Sequence, residues 1–291
     1  MHTPPLFVIA TACLAASAWG QGAEATPRHD LRGNYRYRAG DKLRIVERRD
    51  QTQEVRVRRG TEVVERDAQR EGVEQRYVLE VLEVTPEGDL LRALRTYEAL
   101  TVLPTEASIP VEGIRVLFRR GDEGLRYTAE QGVTLPDELK AALEDAGDGS
   151  APTENTGALF PEEPVAVGGR WVREPAAIAE VLGLEAVDLL PASKVEGELK
   201  EARARPGATP LLRSEVRVSL HASRFQGLVG SEPFVFELRC DLELPAGGAD
   251  PAQDLRIHGE VRGKAPSPAN DGTILELELD LDLTLTREAL P

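Results

Sequence analysis

Near the C-terminus, Leu275-Glu276-Leu277-Glu278-Leu279-Asp280-Leu281-Asp282-Leu283-Thr284-Leu285-Thr286 sets six leucines against four carboxylates and two threonines in strict alternation. A period of two suits a β-strand, whose successive side chains point to opposite faces, and nothing but a sheet places this pattern sensibly. At roughly 3.3 Å per residue the segment spans about 40 Å, long for a soluble sheet. Fully burying such a leucine face stabilises by about 2 kcal/mol per residue.

The same alternation recurs along the chain. Strands are predicted at 35–38 and 42–48 around Gly40-Asp41, and at 54–58 and 61–66 around Arg59-Gly60. Two more, 77–84 and 90–102, flank the turn sequence Pro86-Glu87-Gly88-Asp89, and a further pair, 114–119 and 125–129, flanks 120–124. The later part adds 194–202, 214–224, 232–243 and 255–263 before the leucine strand. Helix is scarce: 136–143 reads as two turns opened by Pro136, and 176–190 as a second candidate interrupted by Gly183. Between 145 and 157 the composition shifts to Gly, Asp, Ser, Pro, Thr and Asn, which is linker chemistry. The glycine turn at Gly40-Asp41 is echoed at Gly168-Gly169, each feeding a strand.

The expected fold is therefore mainly β: long antiparallel strands in two related halves forming curved sheets or half-barrels, with one or two short helices. The segments are a signal peptide at 1–20, a flexible N-terminal segment at 21–33, a β-rich half at 34–133, a short helix and linker at 134–157, and a second β-rich half at 158–291. Two separate halves and one sheet assembled from both remain open.

An uncharged start followed by the apolar run 6–18 and small residues reads as a secretory signal, too short to span a bilayer. Cleavage near Ala18 or Gly20 would leave Cys240 as the sole cysteine; Cys13, after Ala10-Thr11-Ala12, offers a minor alternative as a lipid anchor. Cys240 shares the face of Phe234, Phe236, Leu238 and Leu242, where a thiol acts as a small hydrophobe.

A net charge of −15 disfavours nucleic acid and anionic lipid as bulk partners. Residues 28–59 nevertheless carry eleven Lys or Arg and five Asp or Glu, a local balance of +6. Cross-strand pairing of Arg36, Arg38, Arg44, Arg56 or Arg58 with the acidic last strand is the expected compensation; the alternative is an exposed basic patch.

His29, His221 and His258 lack ligand spacing, and no nucleophile elbow or phosphate-cradling loop is found. Residues 144–150 only faintly resemble a calcium loop, with Ala146 at the third position and Asn155 at the twelfth. An outer-membrane barrel would carry aromatic girdles, and this chain has only 13 aromatics, none in its last seven residues. No catalytic, cofactor-binding or metal-ligating residue is assigned, and no cofactor is expected.

Tyr37-Arg38-Ala39-Gly40-Asp41-Lys42-Leu43 and Pro164-Val165-Ala166-Val167-Gly168-Gly169-Arg170-Trp171 resemble the opening and mid-chain motifs of a secreted, β-rich bacterial family of unknown function. That resemblance implies an exported β protein and carries over no functional residue. More remotely, long curved sheets are similar to those of periplasmic carriers of lipoproteins and lipids, an analogy of fold alone.

The expectation is a secreted or periplasmic, non-enzymatic protein that binds an apolar ligand such as lipid on a curved sheet, with no nucleic acid partner and no integral membrane segment. The alternatives are an envelope interaction or scaffolding module and a hydrolase with a dispersed site. A cavity lined by Leu277, Leu279, Phe234 and Phe236 would favour the first, a sealed core with an exposed apolar patch the second, and converged His, Ser or carboxylates the third.

Overall fold

The computed structural model describes residues 27–31, 36–121, 124–130, 133–145, 156–181, 187–225, 227–248, 250–268 and 272–291. The segment expected as a signal peptide at 1–20, Cys13 and most of the expected linker at 145–157 lie outside these residues.

The chain opens with β1 (Arg28–His29) and continues through β2 (Lys42–Arg59), β3 (Glu62–Val84), β4 (Leu90–Leu103), β5 (Ala107–Ile109), β6 (Arg115–Gly121) and β7 (Gly124–Ala129). Next come α1 (Asp137–Asp145), a 3-10 turn at Thr156–Leu159, β8 (Val165–Ala166), β9 (Arg170–Val172) and α2 (Pro175–Val181). Five long strands follow: β10 (Lys194–Arg205), β11 (Ala208–Phe225), β12 (Leu228–Pro245), β13 (Gln253–Pro266) and β14 (Ile274–Ala289). The architecture is mainly β and antiparallel, as the alternation predicts.

One sheet takes strands from both halves, in the order β7-β6-β4-β3-β2-β14-β13-β12-β11-β10-β9, with β5 also on β4. The leucine strand β14 lies in its interior, paired with β13 on one side and with β2 on the other, from Ile274 opposite Arg58 to Ala289 opposite Leu43. The last strand thus joins to the first long one, and its length follows from that: it must offer two ladders along its whole course. β1 and β8 form a separate pair that ties Arg28 and His29 to Ala166 and Val165.

The sequence echo has a structural counterpart. Gly40 N–H donates to the Val81 carbonyl and Val81 N–H to the Asp41 carbonyl; Gly168 N–H donates to the Leu199 carbonyl and Leu199 N–H to the Gly169 carbonyl. Gly40 and Gly168 both take positive φ, 94° and 80°, which a side chain would resist. Equivalent turns therefore dock equivalent strands, β2 on β3 and β9 on β10.

Two local expectations differ. Residues 36–38 are not a strand, and residues 187–190 are not helical: α2 ends at Val181, and Leu189 instead forms a bridge to Ala222. Conversely, β2 and β3 run unbroken through the polar stretches 49–53 and 67–76, where no alternation signals a strand. There the ladder is supported by cross-strand pairs such as Arg70 to Asp50 (2.7 Å) and Arg66 to Glu54, so polar residues on both faces are tolerated.

The core lies on the face of Leu283 and Leu285. It joins Leu43, Ile45, Leu79, Leu255 and Leu242 from the sheet to Leu139 and Leu143 of α1 and Ile178 of α2. The helices therefore pack on this inner face, as the apolar side of a sheet requires. Cys240 belongs to the same core at 3% exposure, and burial pushes its thiol pKa up to about 12. In the native protein a thiol reagent at neutral pH is expected to label Cys240 at less than one-hundredth of the rate in urea. Comparable native and denatured rates would refute the placement.

The opposite face is a lattice of opposite charges. Arg56 meets Glu276 (3.8 Å) and Glu278 (3.4 Å), Arg58 meets Glu276 (2.7 Å), and Arg44 meets Glu288 (3.6 Å). The basic N-terminal segment is thus compensated by the acidic last strand at these three arginines, whereas the backbone N–H of Arg38 donates to Asp41. Arg56 and Arg66 hold the Glu54 carboxyl down to about 2. Each exposed pair contributes modestly and is screened by salt.

Candidate functional site

On the inner face, β14 changes character along its length. Leu283 and Leu285 are sealed, at 6% and 7% exposure, but Leu275, Leu277, Leu279 and Leu281 are only half-buried. Their same-face neighbours Val55 and Val57 on β2 and Val261 on β13 are half-buried too. These side chains form a partly exposed aliphatic strip.

Its two borders differ. On the C-terminal side Phe234 and Phe236, at 1% and 2% exposure, pack against Phe225 with ring centroids 5.8 and 5.1 Å apart. The Phe234 ring occupies the space above Gly263, which stands opposite Leu277. On the other side the strip meets the tip of β3, because β4 pairs β3 only from Gly72 onward. Residues 62–71 keep β2 as their one ladder partner, and Glu65, Asp67, Gln69 and Glu71 of that tip share the inner face as exposed polar side chains. Inward charges on an uncovered edge discourage strand-to-strand aggregation. The four residues named as lining an apolar site therefore divide: Leu277 and Leu279 are partly open, while Phe234 and Phe236 are closed wall.

A second feature of the inner face has no counterpart in the sequence reading. Arg95 on β4 stands opposite Leu79 on β3 and Val116 on β6, both buried. Its guanidinium carbon lies 4.0 Å from the Phe118 ring centroid and 4.6 Å from that of Tyr77. Glu47 nearby accepts from Gln75 Nε2 at 3.0 Å and forms no ion pair with Arg95. Arg95 Nε and the Tyr97 hydroxyl are both buried without a hydrogen-bond partner. The signal was an arginine where alternation between Ala93 and Tyr97 asks for an apolar residue; a single exception inside a long strand is easily passed over.

The histidines are dispersed, and among the described residues no cluster of His, Cys, Asp and Glu has metal-site geometry. On the outer face Ser219 Oγ donates to Glu237 Oε1 (2.7 Å) and lies 3.4 Å from His221 Nε2. The serine hydroxyl donates to the carboxylate, so the imidazole is not its acceptor and the three do not form a Ser-His-carboxylate relay. His258 Nδ1 sits 2.8 Å from Asp282 Oδ1, and the hydrogen bond to Asp282 raises its pKa, with Glu260 adding to the effect. A histidine raised on folding contributes stability that is present below its unfolded pKa, about 6.5, and lost as pH rises through the folded value. The His258 NMR titration midpoint is expected above 6.5 and falls in Asp282→Asn; an unchanged midpoint would rule out this pair.

No helix among the described residues is long and apolar enough to cross a membrane. Compared with protein-family models the sequence matches none, and comparison with curated proteins likewise finds no match.

Proposed function

We propose that this is an exported, non-enzymatic binding protein that takes up an apolar ligand, an acyl chain or similar aliphatic group, along Leu275, Leu277, Leu279 and Leu281. The observation carrying this reading is the contrast within one strand: the same leucine face is sealed at Leu283 and Leu285 and left half-open over the preceding turns of the pleat. A face needed only for the core would be covered along its length, since each open leucine forgoes part of about 2 kcal/mol. The apolar run at 6–18 supports export as the route by which the chain meets its ligand.

The test is titration of the purified protein with dansylundecanoic acid, a fluorescent acyl probe. Saturable enhancement is expected, and Leu277→Ser with Leu279→Ser weakens it about tenfold. Because both leucines are half-buried, the double variant retains its fold. Absence of saturable binding, or equal binding by the folded variant, would overturn the reading.

A further inference from the structure

We propose that Arg95, with the Tyr97 hydroxyl beside it, binds an oxyanion, the carboxylate or phosphate group of a ligand, on the inner face of the N-terminal half. This site is separate from the aliphatic strip. The Arg95 row runs through Leu79 and Leu43 to Ala289, eight residues along β14 from Leu281, about 27 Å at strand spacing. The proposal does not depend on the reading of that strip.

The physical case is one of unmet demand. A guanidinium is charged at every physiological pH and carries five N–H donors. Elsewhere in this protein arginines face carboxylates across the outer ladders, as Arg44, Arg56, Arg58 and Arg70 do. Arg95 instead sits among Leu79, Ala93, Val116 and Tyr97, at 4%, 0%, 0% and 1% exposure, with no ion pair. Two aromatic faces offset part of its charge, but a ring face is only a weak acceptor for N–H. Tyr97 presents a second orphan: burial raises its pKa, so the phenol keeps its proton and remains a donor. A guanidinium whose Nε is buried without an acceptor, beside a buried hydroxyl that also lacks a partner, is the complement of an oxyanion. Glu47 offsets part of the Arg95 charge from a distance, but its carboxylate accepts from Gln75 and makes no direct hydrogen bond to Arg95 or Tyr97.

Thermal unfolding of the full-length purified protein tests the site. Inorganic phosphate is titrated against sodium chloride of equal ionic strength, and in a parallel arm dihexanoyl phosphatidic acid is added below its micellar concentration. Wild type is expected to gain about 3 °C at saturation, because a ligand that binds only the folded state stabilises it. A rise with phosphate alone identifies a free anion; a rise only with the lipid identifies a head group; either supports the site. Arg95→Met abolishes the rise while unfolding at or above the wild-type temperature, since an apolar residue removes a desolvated charge. Arg95→Lys, which keeps the charge without the planar fork, weakens the response and serves if the methionine variant does not fold. If neither probe moves wild type beyond the chloride control, water completes the cluster and the proposal falls. It falls equally if Arg95→Met or, in its place, Arg95→Lys responds as wild type does.

Discussion

Gly263→Ala is expected to lower the stability of the protein by about 3 kcal/mol, and Gly263→Val to leave little folded material. Gly263 stands on the inner face opposite Leu277, and a Cβ there would overlap the Phe234 ring. Phe234 is 1% exposed and packed against the tilted Phe225 ring, which leaves it little room to yield. The glycine is thus kept by the volume of an aromatic ring on the neighbouring strand, not by a turn. Urea unfolding followed by far-ultraviolet circular dichroism measures the loss. Combining Gly263→Ala with Phe234→Leu is expected to cost less than the sum of the two, by about 1 kcal/mol, because the smaller side chain frees the space. Strict additivity, or an alanine variant as stable as wild type, would show that the ring does not rest there.

The second large effect lies at the far edge of the sheet. Trp171→Ala is expected to cost about 3–5 kcal/mol. Trp171 is 7% exposed, packs beside Phe160 with centroids 6.2 Å apart, and covers Gly197, where a Cβ would overlap the indole. Its Nε1 donates to the Leu159 carbonyl at 2.9 Å, which fastens the 3-10 turn after the linker onto the sheet. Trp171→Phe restores much of the apolar volume but leaves that carbonyl without its donor, a loss of about 1–3 kcal/mol if the carbonyl stays buried. The ordering wild type, phenylalanine, alanine in the urea midpoint is the expected result. A phenylalanine variant equal to wild type would remove the hydrogen bond from the account.

Much of the fold was legible because alternation is a local property. The strands around Pro86-Glu87-Gly88-Asp89, the leucine strand, the core placement of Cys240 and the helix opened by Pro136 each follow from residues within a short window. The polar halves of β2 and β3 were not legible for the same reason in reverse. Residues such as Arg48, Asp50, Arg70 and Glu74 carry no period of two, and their strand conformation rests on partners across the ladder, 20 to 26 residues away in sequence. The helix expected over 176–190 was curtailed by a tertiary contact, since Leu190 N–H donates to the His221 carbonyl and Leu189 bridges to Ala222.

The candidate sites divide along the same line. The sequence showed that one face of β14 is aliphatic, but exposure is decided by what other elements bring over it. It could not show that Leu283 and Leu285 would be covered while Leu275 to Leu281 would stay half-open, nor that Phe234 and Phe236 would close into a wall. Arg95 is clearer still. In sequence it is an interruption of a pattern; only the pairing of β4 with β3 and β6 surrounds it with buried apolar neighbours and leaves its Nε without an acceptor.

By itself, then, the sequence determined the secondary-structure class, the two faces of each well-patterned strand, and the opposite charge of the basic segment at 28–59 and the acidic last strand, whose pairing the structure then supplied. Strand order, the interior position of β14, and the choice of which apolar and charged groups remain unsatisfied were settled only in the tertiary structure. Side-chain alternation is fixed by the geometry of one extended chain, whereas burial is a relation between segments that the chain brings together from its two ends.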